Sequence, residues 1–236
     1  STISMRALPL QNGRKRLGAV ILLRDVSEVR RHEQELMTKD ATIREIHHRV
    51  KNNLQTVSAL LRLQSRRSDE DAVKVALAEA ERRVQAIATV HAALSQNVDE
   101  SVDFDEVART IVRMAGAIAS TDHAVEVITT GTFGTISADQ AQALATVLNE
   151  LVANSVEHGL ADRDGRIEVC AQRDDLSMKV TVADDGVGFV PGTPMSGLGT
   201  QIVHQMVRGE LRGSIEWAPR EGGGTLVTLL INLDPA

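Results

Sequence analysis

Four stretches of this chain combine residue types that could do chemistry. The first, Ile43 to Leu63, reads I-R-E-I-H-H-R-V-K-N-N-L-Q-T-V-S-A-L-L-R-L and holds the adjacent His47 and His48. A neutral imidazole is a nucleophile at physiological pH, suited to attack on a phosphoryl donor. The second, L-N-E-L-V-A-N-S-V-E-H-G, spaces Glu150, Asn154 and His158 at i, i+4 and i+8, on one face of a helix. A carboxylate, an amide oxygen and an imidazole suit a hard cation with attached phosphates. Mg²⁺ prefers such oxygens and keeps several waters. The third, V-T-V-A-D-D-G-V-G-F, carries D-x-G-x-G as Asp184, Gly186 and Gly188. An acid at a strand end can accept from an exocyclic amine such as that of adenine, and the glycines allow close backbone approach. The fourth, S-G-L-G-T-Q-I-V, runs Gly197, Leu198 and Gly199 straight into a helix, whose first N–H groups bind phosphate.

Each stretch alone has a plainer reading, since Asp-Gly turns are common and polar helix faces are usually just solvated. Position decides more. With Ile43 set at zero and about 100° per residue, Val50, Leu54, Val57 and Leu61 fall within roughly 40° of it. Ile46 at about 300° and Leu60 at about 260° widen the same apolar stripe. His47 lies at about 40°, on the border of the stripe, and His48 at about 140°, toward solvent. Asn52 sits one turn above His48 on that exposed face. A histidine that must meet a large donor has to face outward, so His48 is the candidate and His47 a shoulder residue.

The elements around these stretches follow from pattern. Residues 1–26 read as two strands about the turn Q-N-G-R-K-R. From Ser27 to about Arg67 the chain reads as one helix, with Val29, Leu36, Ile43, Val50 and Val57 at heptad spacing. Ser68 or Asp69 is the expected N-cap of a second helix. Its strip of Val73, Leu77, Ala80, Val84, Ile87, His91 and Leu94 predicts a helical hairpin with His91 on the seam. A hairpin buries only part of its apolar surface, and pairing two gives a four-helix bundle, so a homodimer is expected.

Beyond Asn97 the pattern predicts a helix over 104–118, strands at 124–129 and near 136, and a helix over 138–158 capped by Gly159. Antiparallel strands follow at 167–172 and 178–183, then a glycine-rich loop and a helix over 200–208. Strands at 214–218 and 225–233 flank the turn R-E-G-G-G. Val190 to Ser196 would lie over the site as a lid, or is a plain loop. The class is α+β, a helical hairpin followed by a sandwich with helices on one face of a mixed sheet.

Composition narrows the function classes. The 236 residues carry a net charge of −6, which gives no basic footprint for nucleic acid. No Tyr and few other aromatics argue against base stacking. A single cysteine, Cys170, excludes an internal disulfide framework and a multi-cysteine metal site. No apolar run approaches the length of a membrane span, and no signal peptide is visible, so a cytoplasmic setting is expected. The chain begins at Ser1 rather than Met, which reads as part of a longer protein.

In order and spacing, Glu-x-x-x-Asn, D-x-G-x-G, G-x-G before a helix and G-G-G-T before a strand resemble the gyrase, Hsp90, histidine kinase and MutL ATP-binding superfamily. The likeness covers roughly residues 100–233. It implies a Bergerat-type fold that binds ATP with Mg²⁺. Asn154 would hold the metal, with Glu150 beside it, Asp184 the adenine, and the backbone at Gly197 and Gly199 the phosphates. Thr225 matches the residue that supports the adenine carboxylate. Many kinases of this superfamily have Asn where Glu150 stands; Glu150 resembles the gyrase-type residue that polarises a water.

The upstream H-H-R-V-K-N-N-L-Q is similar to the second dimerisation and phosphoacceptor subfamily of sensor histidine kinases, related to the H-W-E group. In that pattern the acceptor is His48. Common histidine kinases place an acid directly after it, whereas this chain has Arg49, which leaves Glu45 as candidate base. Asn52 occupies the position that in other families orients water for dephosphorylating a partner. Leu17 to Glu35 resembles the end of a PAS sensor domain. The whole is similar to the actinobacterial sensor kinases of phosphorylation-dependent transcription antitermination.

The implied division is 1–27 for the PAS-like end, 28–98 for linker and phosphotransfer hairpin, and 99–236 for the ATP-binding domain. The implied partner is the receiver domain of a response regulator. The rival reading is an ATPase of the same superfamily that works as a conformational clamp without phosphotransfer.

Overall fold

Between Gly18 and Gly116 the chain contains neither Gly nor Pro, and most of that span is helix. The computed structural model describes residues 2–12, 15–94, 101–116, 123–161, 163–189 and 197–234. For 9–12, 15–17, 29–41, 44 and 115–116 it describes the backbone alone. The expected lid at 190–196, the boundary near 98 and the expected helix end at Ile118 lie outside the described residues. The chain divides into two compact units, Ser1–Glu45 and Ile46–Ala236.

In the first unit, β1 (Ile3–Asn12) and β2 (Lys15–Asp25) pair antiparallel from Ile3↔Asp25 to Asn12↔Lys15. Asp25 Oδ1 accepts from the Ser27 N–H at 2.9 Å, closing the turn into α1 (Ser27–Arg67), within which the division between the units falls. Ile3, Met5, Ile21 and Leu23 of this ribbon are exposed.

In the second unit, α1 is joined by α2 (Asp71–Leu94). The first intrahelical bond of α2 runs from Lys74 N–H to the Glu70 carbonyl, so the cap is Glu70 rather than Ser68 or Asp69. Ser68 Oγ instead accepts from the Glu70 N–H at 3.2 Å and tightens the turn before it. Arg62 donates to Glu81 across the hairpin, and the His47 and His91 rings meet through their Nδ1 atoms at 3.1 Å. The α1 stripe is covered unevenly. Leu54, Ser58 and Leu61 are half-buried or buried, whereas Ile46, Val57 and Leu60 on its other flank remain exposed.

The expected seam of α2 needs a correction. Its deepest residues are Ala86, Val90 and Leu94, of which only Leu94 belongs to the predicted strip. The first two lie on a second face, which joins the core of the domain that follows. A single hairpin has one apolar seam; α2 has two because helices α3 and α4 pack against it.

That domain opens with β3 (Ser101–Asp103), a short strand the sequence pattern missed, which pairs with β5 (Thr135–Ser137). Helix α3 (Phe104–Gly116) and β4 (Val125–Gly131) lie between them in the chain. Then come α4 (Ala138–Asn154), a π-helical turn (Ser155–Gly159), β6 (Gly165–Arg173) and β7 (Ser177–Asp184). Helix α5 (Leu198–Arg208), β8 (Ser214–Pro219) and β9 (Thr225–Asn232) complete it.

The five-stranded sheet has the order β4-β6-β7-β9-β8, with β4 and β6 parallel and the other pairs antiparallel. Period-2 alternation buries Ile167 and Val169 of β6, Val180 and Val182 of β7, and Leu229 and Ile231 of β9. They share one core with Leu144 and Leu148 of α4, Ile111 of α3 and Val203 of α5. The alternate residues Glu168, Cys170 and Thr181 line the open face. This is the expected two-layer sandwich on a mixed sheet.

Candidate functional site

β7 delivers Asp184 to the end of the sheet, where the residue is only 3 % exposed. A buried carboxylate has to be hydrogen-bonded, and this one has three donors. Oδ1 accepts from the Gly186 N–H at 3.0 Å and the Thr225 N–H at 3.2 Å, and Oδ2 from Ser155 Oγ at 3.2 Å. A carboxylate oxygen has two lone pairs, so Oδ1 is saturated and Oδ2 keeps one acceptor position. Asp184 lines a cleft of about 390 Å³, so that position can take a donor from a ligand, such as an exocyclic amine. The D-x-G-x-G spacing has a steric cause here. A side chain at Gly186 would overlap the Gly159 carbonyl.

The facing wall comes from α4 and the turn after it. The expected helix to His158 gives way to a π-helical turn at Ser155–Gly159, an insertion frequent at functional sites. Gly159 is not the expected left-handed cap, since its φ is not positive. It is small because a Cβ there would press on Asp184 Oδ1 at 3.0 Å. Glu150, Asn154 and His158 all line the cleft nonetheless. Ser155, which the sequence reading passed over, is the hydroxyl that steadies Asp184.

Glu150 is engaged by the hairpin. Arg83 of α2 donates to it in a two-pronged pair, Nε to Oε1 at 2.7 Å and Nη2 to Oε2 at 2.9 Å. The Glu150 side chain is 8 % exposed and that of Arg83 18 %. That hydrogen bond, ahead of any other cause, raises the Arg83 pKa, so the guanidinium stays charged. Arg82 pairs with Glu157 at 2.7 Å. Both arginines line the cleft, and no sequence motif pointed to either.

The remaining site residues lie at the start of α5 and elsewhere along the cleft. Gly197 is the extended N-cap of α5 with no side chain to occupy the first N–H groups, and Leu198 and Gly199 begin the helix. A Cβ on Gly199 would overlap Glu150 Oε2. Gly188, with φ +69, lines the cleft together with Thr225. Gly186 contributes its N–H to Asp184 rather than a wall of the cleft.

On the hairpin, His48 and Asn52 are exposed on α1, and Glu45 is exposed three residues before His48. His47 is half-buried against His91. Burial, and then the neighbouring His47, holds the His91 pKa below its ordinary 6.5. The Nδ1–Nδ1 contact needs one bare nitrogen, so the pair cannot be doubly protonated and keep it. Among the described residues no His, Cys, Asp or Glu cluster could hold a metal by itself. No described helix is long and apolar enough to cross a membrane.

A helical hairpin carrying an exposed histidine, joined to a two-layer sandwich with this cleft, defines a class. Residues 45–118 match the family described as "Histidine kinase", and residues 139–235 the one described as "Histidine kinase-, DNA gyrase B-, and HSP90-like ATPase". The chain therefore carries both domains of a histidine kinase, the first of the second dimerisation and phosphoacceptor subfamily.

Among individual proteins it is 45 % identical to "Sensor histidine kinase PdtaS" of Mycolicibacterium smegmatis, covering 98 % of this chain and 47 % of that protein. It is 44 % identical to PdtaS of Mycobacterium tuberculosis over the same shares. The chain thus spans about half the length of these curated relatives. The histidine kinase domain of the Erythrobacter litoralis EL346 blue-light activated histidine kinase shares the fold. Its TM-score is 0.58 at 24 % identity, covering 84 % of this chain and 95 % of that one.

Proposed function

We propose that this chain is the kinase core of a sensor protein that phosphorylates its own His48 from ATP and passes the group to an aspartate of a receiver domain. The observation that carries the reading is the Asp184 site. A buried carboxylate, saturated on one oxygen and free to accept once more on the other, stands in a cleft that ends at the bare N-terminus of α5. Adenine would donate its amine to Asp184, with Thr225 and Ser155 holding the carboxylate. The triphosphate would run toward Gly197, Leu198 and Gly199, and His158 lines the same cleft.

Asn154 and Glu150 offer too few oxygens for a protein cage, so a cation here takes other ligands from water and phosphate, which suits Mg²⁺. When bound, Mg²⁺ would offset charge on the transferring group. The chain's own work is positioning and electrostatics. An imidazole nitrogen of His48 attacks the γ-phosphorus; the P–N bond forms as the bond to the ADP oxygen breaks. The imidazole proton leaves to a base, for which Glu45 on the preceding turn is the candidate. Asn52, one turn after His48, would orient water in the reverse, dephosphorylating reaction.

The exposed flank of α1 at Ile46, Val57 and Leu60 supports a homodimer through the hairpin. We keep the functional division at 1–27, 28–98 and 99–236.

The test is incubation with γ-labelled ATP and Mg²⁺, with site mapping that preserves phosphohistidine. Acid-labile, alkali-stable label at His48, lost in His48→Gln and kept in His47→Gln, is the expected result. ATP turnover with no label on the protein would establish the clamp ATPase instead.

A further inference from the structure

The nucleotide domain does not build the phosphate end of the cleft alone. Arg82 and Arg83 belong to α2, the second helix of the hairpin, yet both line the cleft beside Asn154, Gly197 and Gly199. Each is held by an acid of the α4 segment, Arg83 on Glu150 and Arg82 on Glu157. Glu79, one turn before Arg83, stands 3.5 Å from its Nη2. These ion pairs tie the hairpin to the helix that carries Asn154.

The geometry at Gly199 fixes where the Arg83 fork lies. A Cβ built on Gly199 would overlap Glu150 Oε2 and stand 3.6 Å from Arg83 Nη2. A phosphate received by the first N–H groups of α5 would therefore come within reach of this guanidinium. It would also come against the Glu150 carboxylate, and two anions that close repel unless a cation intervenes. Arg83 is the cation already there. Its planar fork matches phosphate as well as carboxylate, two N–H groups to two oxygens.

We propose that Arg83 is a nucleotide-phosphate ligand supplied by the hairpin, exchanging Glu150 for the polyphosphate when a nucleotide binds. The inference rests on the reading of the cleft as an ATP site. The exchange leaves the Glu150 carboxylate to the cation that accompanies the nucleotide, and it replaces the tie between α2 and α4 with one through the ligand. Occupancy of the cleft is thereby felt by the helix paired with α1, which carries His48. Arg82 makes the parallel contact with Glu157 and has no part in the exchange, which rests on the position of Arg83 beside Gly199.

The experiment is calorimetric titration of the whole chain, with Mg²⁺ present, by adenosine, AMP, ADP and ATP in turn. Wild type, Arg83→Ala and Arg83→Lys are compared. Loss of a charge-assisted contact, partly offset because Glu150 no longer competes, predicts roughly tenfold weaker ADP and ATP binding in Arg83→Ala. Adenosine binding should stay within about twofold, since it carries no phosphate for the guanidinium to meet. Arg83→Lys, with the charge but not the fork, should fall between.

ATP binding by Arg83→Ala equal to or tighter than wild type overturns the inference, because Arg83 would then only obstruct the cleft. An equal loss for all four ligands also overturns it, marking a purely structural role in α2–α4 packing. Failure of wild type to bind ATP defeats the ATP-site reading, and this inference with it.

Discussion

Replacing Asp184 with Asn tests the proposed adenine site at its most constrained atom. The carboxylate is buried and accepts three hydrogen bonds, from Gly186, Thr225 and Ser155. In Asp184→Asn the amide oxygen can take the place of Oδ1, because both of its donors are fixed backbone N–H groups. The amide nitrogen then takes the place of Oδ2. Ser155 can rotate its hydroxyl and accept from that nitrogen, so the fold loses little, on the order of 1 kcal/mol. The ligand cannot adapt in the same way.

The acceptor left for the exocyclic amine has become a donor. The cost is a lost charge-assisted hydrogen bond plus an unsatisfied donor on each side, together about 3 kcal/mol or roughly a hundredfold in affinity. The assay is titration with a fluorescent ADP analogue, beside a melting curve that monitors folding. ATP should weaken by about two orders of magnitude while Tm falls by only a few degrees. GTP presents an acceptor where ATP presents its amine, so preference for ATP over GTP should collapse in the variant. ATP affinity within threefold of wild type, with preference intact, would refute the assignment of Asp184 to the base.

Three further outcomes follow from other parts of the structure. Gly199→Ala places a methyl on Glu150 Oε2 and should both break the Arg83 pair and weaken ATP binding, read by titration; unchanged binding would show the loop free to retreat. Leu60→Lys charges the exposed flank of α1, where Leu60 is 56 % exposed in the single chain. Sedimentation should show its dimer dissociating at concentrations where wild type stays paired, and identical profiles would remove this flank from the interface.

The His91 pKa lies below its unfolded value of 6.5, so the unfolded chain takes up the proton first. The stability from neutral His91 is complete above about pH 6.5 and is lost as pH falls from there through the folded value. Wild type should therefore lose more Tm than His91→Gln between about pH 7.5 and 5.5, and parallel melting curves would exclude the His47–His91 pair as the cause.

Local pattern carried a large part of the site. Helical phase alone separated exposed His48 from half-buried His47, because both belong to one unbroken helix with a single apolar stripe. Period-2 alternation located β6, β7 and β9, and the strand end at Asp184 with them. What stayed hidden depends on partners distant in the chain. Arg83 lies 67 residues from Glu150, and on its own helix it is one more charged residue on a polar face. Ser155 reads as a filler between Asn154 and Glu157 until β7 brings Asp184 against it. The π-turn has no residue signature here, and a glycine that closes a helix, as Gly159 does in the sequence, reads as its cap. In the fold its smallness serves the Asp184 carboxylate.

These distant pairs also bear on the choice between a kinase and a clamp. A residue that polarises a water for hydrolysis needs a carboxylate with lone pairs turned toward that water. In the chain without nucleotide each oxygen of Glu150 accepts from the Arg83 fork, and Asn149 stands 3.4 Å from Oε1 as well. A carboxylate paired in this way is a poor base, and in the proposed exchange it passes from the arginine, which belongs to the same hairpin as His48, to the cation that accompanies the nucleotide rather than to a water. The gyrase-like residue in the motif is thus placed under the control of the hairpin. That arrangement suits a domain whose γ-phosphate is meant for His48 rather than for water.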